Sequence, residues 1–268
     1  MTTALKTQAA DGGLTPAQQA RLDMRAGRYD GRTTRNVALG YVQCSLAVVP
    51  KALAFDFLVF CQRNQKPCPV VEVLEPGDPD SRRTAPGADV RTDVAFYSVY
   101  RKGELVERPT DIRHLWREDS VAFLIGSNTS CDLALQRAGV QTTANRWVLR
   151  SSIATDPAGP FHGPLAVTMR WLQPEQAIIA TQLTSRFPFN HGAPVHIGDP
   201  RAIGCDLDHP LTGDPVPAIP AGVVPVFWAC SMTPQEAAVA SKVDLMITSG
   251  PSKGFITDLE ADKVCSPR

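Results

Sequence analysis

Twenty-three prolines spread over 268 residues set the scale of every element in this chain. Proline lacks a backbone donor and holds φ near −65°, so helices and strands end close to each one. The pattern implies many rigid turns and short elements rather than long helices or repeats. Val70-Val-Glu-Val-Leu74, Val121-Ala-Phe-Leu-Ile125, Val223 to Ala229 and Asp244 to Thr248 read as buried strands. Val94 to Tyr100 and Glu104 to Glu107 read as a hairpin across Lys102-Gly103. Thr15-Pro16-Ala17-Gln18 carries an N-cap, a proline at the first helical position and a capping-box glutamine, which predicts a helix to about Ala26. Helices are also expected over Lys51 to Asn64, Asp111 to Trp116, after the Gly126–Ser130 turn to Ala138, and over Pro174 to Ser185. Thr233-Pro-Gln-Glu236 opens another with its own capping box, ending near Lys242. Residues 1–13 read as a frayed tail and Arg28 to Arg35 as a polar loop.

From Asn145 the character changes. Strands over Trp147 to Ile153 and Leu165 to Trp171 flank a Pro/Gly turn, and a polar Gly/Asp/Pro region runs to Pro220. Alternating strands and helices on either side predict the α/β class. The expected architecture is a mainly parallel sheet core built from 1–139 and 213–268, with a smaller inserted α+β lobe over 140–212. The four buried strands should share the core sheet.

Charge bounds the partners. Lysine plus arginine and aspartate plus glutamate number 27 each, and no basic run interleaves with aromatics, which argues against nucleic acid. No apolar run is long enough to span a bilayer, and Met1 to Gly13 lacks the apolar core of a signal peptide. The seven cysteines are odd in number and show no CxxC spacing, which favours reduced thiols in a cytoplasm. The expected partner is a small-molecule substrate, with no membrane and no cofactor; a homo-oligomer is left open.

The richest stretch in proton-moving groups is His191-Gly-Ala-Pro-Val-His-Ile-Gly-Asp-Pro200. Its glycines and prolines exclude a helix and predict a turn, a short strand over 195–197 and a second turn. Such a frame could hold His191, His196 and Asp199 for general acid–base work, with Asp199 orienting the His196 ring. Two buried structural histidines are the plainer reading. The same three groups could offer two nitrogens and one oxygen to a metal, but at no recognised ligand spacing, and no metal is assigned. A second candidate is Cys230, delivered by a buried strand to a helix N-terminus, where the helix dipole could lower its pKa and the amides could hold an oxyanion. An inert buried cysteine beside an ordinary cap explains it equally. Asp89, Arg91 and Asp93 alternate at strand spacing, as a salt-bridged edge or a polar site. Arg150 and Arg170 sit in apolar strands, where a guanidinium needs a carboxylate from the protein or from a ligand.

Gly40-Tyr-Val-Gln43, Phe60-Cys-Gln-Arg-Asn64 with Pro67-Cys-Pro69, Gly87-Ala-Asp-Val-Arg-Thr-Asp93, Phe123-Leu-Ile-Gly126, His191 to Pro200, Pro225-Val-Phe-Trp-Ala-Cys230 with Thr233-Pro-Gln235, and Ile256-Thr-Asp258 together resemble the D-glutamate cyclase family, whose bacterial members carry the hydro-lyase label. The resemblance spans about Arg21 to Asp258. It implies a two-lobed α/β protein and closure of D-glutamate to 5-oxo-D-proline with loss of water. That chemistry needs a base for the ammonium, donors for a tetrahedral oxyanion and an acid for departing hydroxide. His191, His196, Asp199 and Cys230 are the expected catalytic groups. Tyr41, Gln43, Asp89, Arg91, Ser127, Asn128, Arg150, Arg170, Thr233 and Gln235 are the expected substrate-binding groups. A non-catalytic binder on the same scaffold, or a different dehydration or ring closure, are the alternatives. The chain departs from the family pattern at Gly126-Ser-Asn-Thr-Ser-Cys-Asp132, at Ser249-Gly-Pro-Ser-Lys-Gly254, where two histidines are usual, and at Ser45, where asparagine is usual. The changes fall in turns, which suits an altered substrate better than a failed fold.

Overall fold

The structure is a computed structural model that describes residues 13–29, 33–142 and 145–266. The tail expected over 1–13 lies, apart from Gly13, outside the described residues, as does the middle of the loop expected over 28–35. Two sheets organise the molecule. The first contains β1 (Tyr41–Pro50), β2 (Val70–Val73), β3 (Tyr97–Arg101), β4 (Glu104–Glu107), β5 (Ser120–Gly126), β10 (Met246–Ser249) and β11 (Phe255–Glu260). Its order is β2-β5-β1-β10-β3-β4, with β11 also on β1. The second contains β6 (Arg146–Ala154), β7 (Pro164–Leu172), β8 (His196–Ile197) and β9 (Val224–Ala229) in the order β6-β7-β9-β8.

Every ladder between named strands in both sheets is antiparallel, which overturns the expected mainly parallel core. The error has a physical source. A continuous apolar strand records that both faces are covered, and parallel sheets are the usual case. Here an antiparallel sheet is covered on both faces. Val42, Cys44, Leu46 and Val48 of β1 pack in one cluster with Leu124, Val226 and Trp228. Ala47 and Val49 face the other way, onto Phe57 and Phe60 of α2 (Lys51–Arg63), Phe123 and Phe161. Phe57 meets Phe123 and Phe161 edge-on at 4.9 and 5.0 Å, the preferred aromatic geometry. A second correction concerns β9. It was expected in the core sheet but pairs with β7 and β8 in the second one.

The local elements follow the sequence more closely. α1 (Pro16–Arg25) has its reciprocal Thr15–Gln18 capping box. It docks through Arg21, which donates to both Asp258 carboxylate oxygens at 2.9 and 3.0 Å and to the Ile256 carbonyl. The β3–β4 hairpin turns at Lys102-Gly103 as expected. The helix over 111–116 shrinks to a 3-10 turn at Arg113–Leu115. α3 (Asp132–Arg137) is preceded by a 3-10 turn, Asn128–Cys131. α4 (Pro174–Thr184) and α5 (Thr233–Ser241) complete the helices. The capping box expected at Thr233 does not form. Thr233 lies inside α5, its hydroxyl donates to the Cys230 carbonyl and accepts from the Ala166 N–H, and Glu236 is drawn off to Arg150.

One irregularity positions the site. Both β10 and β11 pair with the same side of β1, one after the other. Ala47 faces Thr248 and Cys44 faces Phe255, so three steps along β1 correspond to seven along its partner. The excess loops out as residues 250–254. Beside the break, the Leu46 N–H is satisfied by the Ser249 hydroxyl at 3.1 Å instead of a ladder carbonyl.

Candidate functional site

The ladder break opens a small cleft. Gln43 and Ser45 of β1, Ser127 to Thr129 after β5, Arg146 and Val148 of β6, Cys230 to Met232 after β9, Gln235 of α5, and the strips 33–35 and 250–254 line it. The two strips hold each other: the Ser252 carbonyl accepts from the Thr34 N–H at 3.1 Å, and the Gly254 N–H donates to the Thr34 hydroxyl at 2.9 Å. Strands β5 and β9 both end here, and each runs straight into a helical turn, so the first amides of two helical turns come to one place. The N–H groups of Ser231 and Met232 take no acceptor among the described residues, which leaves them at the positive end of α5. Ser45 donates its hydroxyl hydrogen bond to Ser231 at 2.8 Å.

The described charged side chains that line the cleft are all basic. Arg35, Arg146 and Lys253 line it, and no described Asp or Glu does. Behind the wall Asp132 is fully buried and takes Arg170 at 2.6 Å on one oxygen and Arg146 at 3.3 Å on the other. Arg146 also donates to the Asn128 side-chain oxygen. Burial and the neighbouring Arg170 push the Arg146 pKa down, against the pull of Asp132, and burial lowers that of Arg35. In both, burial is the leading cause. Gln43 is anchored through its side-chain N–H groups to the Thr34 and Val37 carbonyls, both at 2.9 Å. That leaves its Oε1 buried with no partner among the described residues.

The histidine loop is placed differently. His191 is buried with φ of 74° and does not line the cleft. Its Nδ1 lies 2.6 Å from the Lys66 carbonyl, which can only accept, so Nδ1 carries the proton and Nε2 is a buried lone pair without a partner among the described residues. Burial lowers its pKa to about 4, so it is neutral at working pH. His196 is half-buried on β8, donates from Nε2 to the Asp199 backbone carbonyl at 2.9 Å and lies 5.4 Å from the Phe227 ring. The expected carboxylate–imidazole contact does not form. Asp199 instead pairs with Arg201 and caps the turn Pro200–Ile203.

Of the other expected residues, Gln43, Ser127, Asn128, Cys230 and Gln235 line the cleft. Gln235 is held from Nε2 to the Ser249 carbonyl at 3.0 Å. Thr233 is fully buried and fastens β9 to β7 rather than facing the cleft. Tyr41 packs with the α1 cluster. Asp89 and Arg91 are satisfied by each other at 2.8 Å outside the cleft. Arg150 pairs with Glu236, and Arg170 with Asp132.

A family model described as D-glutamate cyclase matches residues 121–258. A Bordetella pertussis protein is 51% identical over 90% of this chain and 88% of its own length, and its name is "Putative hydro-lyase" followed by a locus tag. A Stutzerimonas stutzeri protein named "Putative hydro-lyase" is 46% identical over 94% of this chain and 96% of its own. A Geobacillus kaustophilus protein of the same kind is 48% identical over 87% and 90%.

The chain belongs to the D-glutamate cyclase family.

The stretches read above as departing from the family pattern include cleft-lining residues: Ser45, Ser127 to Thr129, Gly250 and Ser252 to Gly254. The residues that sequence reasoning passed over include Thr33 to Arg35, Arg146, Val148, Ser231, Met232 and Lys253. Arg146 was within reach. It pairs directly with Arg170 across β6 and β7 and shares a face with Arg150, so the argument made for those two arginines applies to it. It was missed because the strand was started one residue late.

Proposed function

We propose that this member of the D-glutamate cyclase family is a hydro-lyase that removes water from a small carboxylate-bearing amino acid by intramolecular ring closure, with D-glutamate to 5-oxo-D-proline as the leading reaction. The observation that carries the reading is the meeting, in one cleft, of basic side chains with the unpaired N–H groups of Ser231 and Met232 beside the Ser45–Ser231 hydroxyl pair. Ring closure joins the amine nitrogen to the side-chain carboxyl carbon. Two ammonium protons and one carboxyl oxygen leave as water. The negative charge that builds on the remaining oxygen is what preorganised amides stabilise best, because they need no reorganisation as the charge develops. Cys230 and Lys253 are lining side chains able to exchange a proton with the amine or the departing hydroxide. The relatives' hydro-lyase names support the reaction class. The changed lining residues support a substrate close to glutamate but not identical to it.

The experiment is turnover of D-glutamate, L-glutamate and their homologues by the full chain, read as loss of one water by mass. The reading expects one of these to be converted, and Ser231→Ala and Cys230→Ser each to slow it by about tenfold or more. No dehydration of any of them, by protein that still binds one, would assign the cleft to a binder.

A further inference from the structure

We propose that the cleft holds a carboxylate of its ligand against Arg146 and Arg35, and that Asp132 is the positioning residue that sets Arg146 for this task. The proposal rests on the reading of the cleft as the substrate site and names how that site recognises its ligand. Arg146 reaches the cleft from the first position of β6. One arm of its guanidinium is held by Asp132 at 3.3 Å and the other by the Asn128 side-chain oxygen. A guanidinium has five N–H groups in a rigid plane, so two anchored arms fix the direction of the rest. A carboxylate presents two oxygens at the matching spacing.

The charge balance points the same way. Arg146 and Arg170 engage both oxygens of one carboxylate, Asp132, and Arg35 lines the same cleft as Arg146. Arg170 keeps one guanidinium nitrogen buried without a partner among the described residues, and its charge lies 5.9 Å above the Trp228 ring. It is a neighbour that raises the local positive potential without competing for a ligand in the cleft. No described acid lines the cleft to neutralise Arg146 or Arg35. A carboxylate from solution would supply the acceptor that no described acid does, and a low-dielectric wall makes its attraction stronger than at an open surface.

The test compares glutarate, a dicarboxylate with no amine and therefore no ring closure, with glutaramide, its uncharged counterpart. Affinities for the full chain are measured by calorimetry, and folding by circular dichroism. Wild type should prefer glutarate by about tenfold or more, as expected for charge-assisted hydrogen bonds. Arg146→Gln and Arg35→Gln should each cut that preference several-fold. Asp132→Asn should cut it with little effect on glutaramide, and Asp132→Glu should restore most of it. A merely structural Asp132 would weaken both ligands alike. Equal affinity of wild type for the two ligands, no binding of glutarate, or a full preference in folded Arg146→Gln or Asp132→Asn overturns the proposal. Where Asp132→Asn does not fold, Arg146→Lys decides: charge without an aligned fork should lose at least threefold of the preference, and a full preference overturns the positioning role. Glutarate binding without turnover of any amino acid fails the cyclisation reading and leaves this site standing.

Discussion

Asp132 and Asp199 each pair with arginine, and they are different objects. Asp132 has no exposed surface, and its two arginine side chains are 4% and 6% exposed. Asp199 is 48% exposed and Arg201 89%. In the first, charges have left water and must be repaid by geometry, so every partner matters. In the second, water screens the pair and can replace either member. His196 and Asp199, from the stretch with the most proton-moving groups in the sequence, lie nearer the second environment, while the first is built from residues far apart in the chain. What decides chemical consequence is where the fold takes a group, not how many such groups stand together in the chain.

The largest expected effect is at Asp132. Asp132→Ala leaves two buried guanidinium groups short of a carboxylate, and urea unfolding should show a loss of about 3–5 kcal/mol. A loss below 1 kcal/mol would erase the contrast with Asp199.

His191 gives the next effect, through pH. Its folded pKa of about 4 lies below the ordinary value of 6.5. The unfolded chain therefore binds a proton in this window that the folded chain refuses. The stability is present above pH 6.5 and is lost as pH falls toward 4, to a total of roughly 3 kcal/mol. His191→Asn suits the left-handed backbone there and should flatten that part of the pH profile of unfolding free energy. An unchanged profile would show that the ring is not buried neutral.

Gly254→Ala is subtler. A Cβ there would stand 3.1 Å from Gln43 Oε1 and 3.3 Å from its Cβ, both tight. Melting should shift by a few degrees at most, corresponding to about 1 kcal/mol, while ligand affinity at the cleft falls. A variant with wild-type affinity would remove residues 250–254 from the binding surface.

The smallest effects belong to the histidine loop's surface. Asp199→Ala should leave the melting temperature unchanged within measurement error. His196→Ala should keep turnover within about twofold, far short of the hundredfold or more that loss of a positioned base costs. A large fall in turnover by folded His196→Ala would return the acid–base role to this loop.

Element by element, the sequence was legible where the cause is local. The Thr15–Gln18 capping box, the Lys102-Gly103 turn and the helix over Lys51–Arg63 depend on residues within a few positions of each other. The Thr233 box was misread because two distant partners, Ala166 and Arg150, claimed its groups. Part of the cleft was legible: Ser127, Asn128 and Cys230 follow strands that the sequence located, and Gln43 and Gln235 stand in motifs that carry the family resemblance. Arg35, Arg146 and Lys253 were not, since each stands alone in its own stretch.

By itself the sequence determined many of the strands and helices and which family the chain resembles, because these depend on side-chain chemistry and near neighbours. Only the tertiary structure decided that the strands pair antiparallel, that β9 leaves the core sheet, and that the excess of residues 250–254 over β1 opens a cleft. Pairing direction leaves no mark on a strand covered on both faces. The meeting of Asp132 with Arg146 and Arg170 depends on contacts across 14 and 38 positions, which only a folded chain can make.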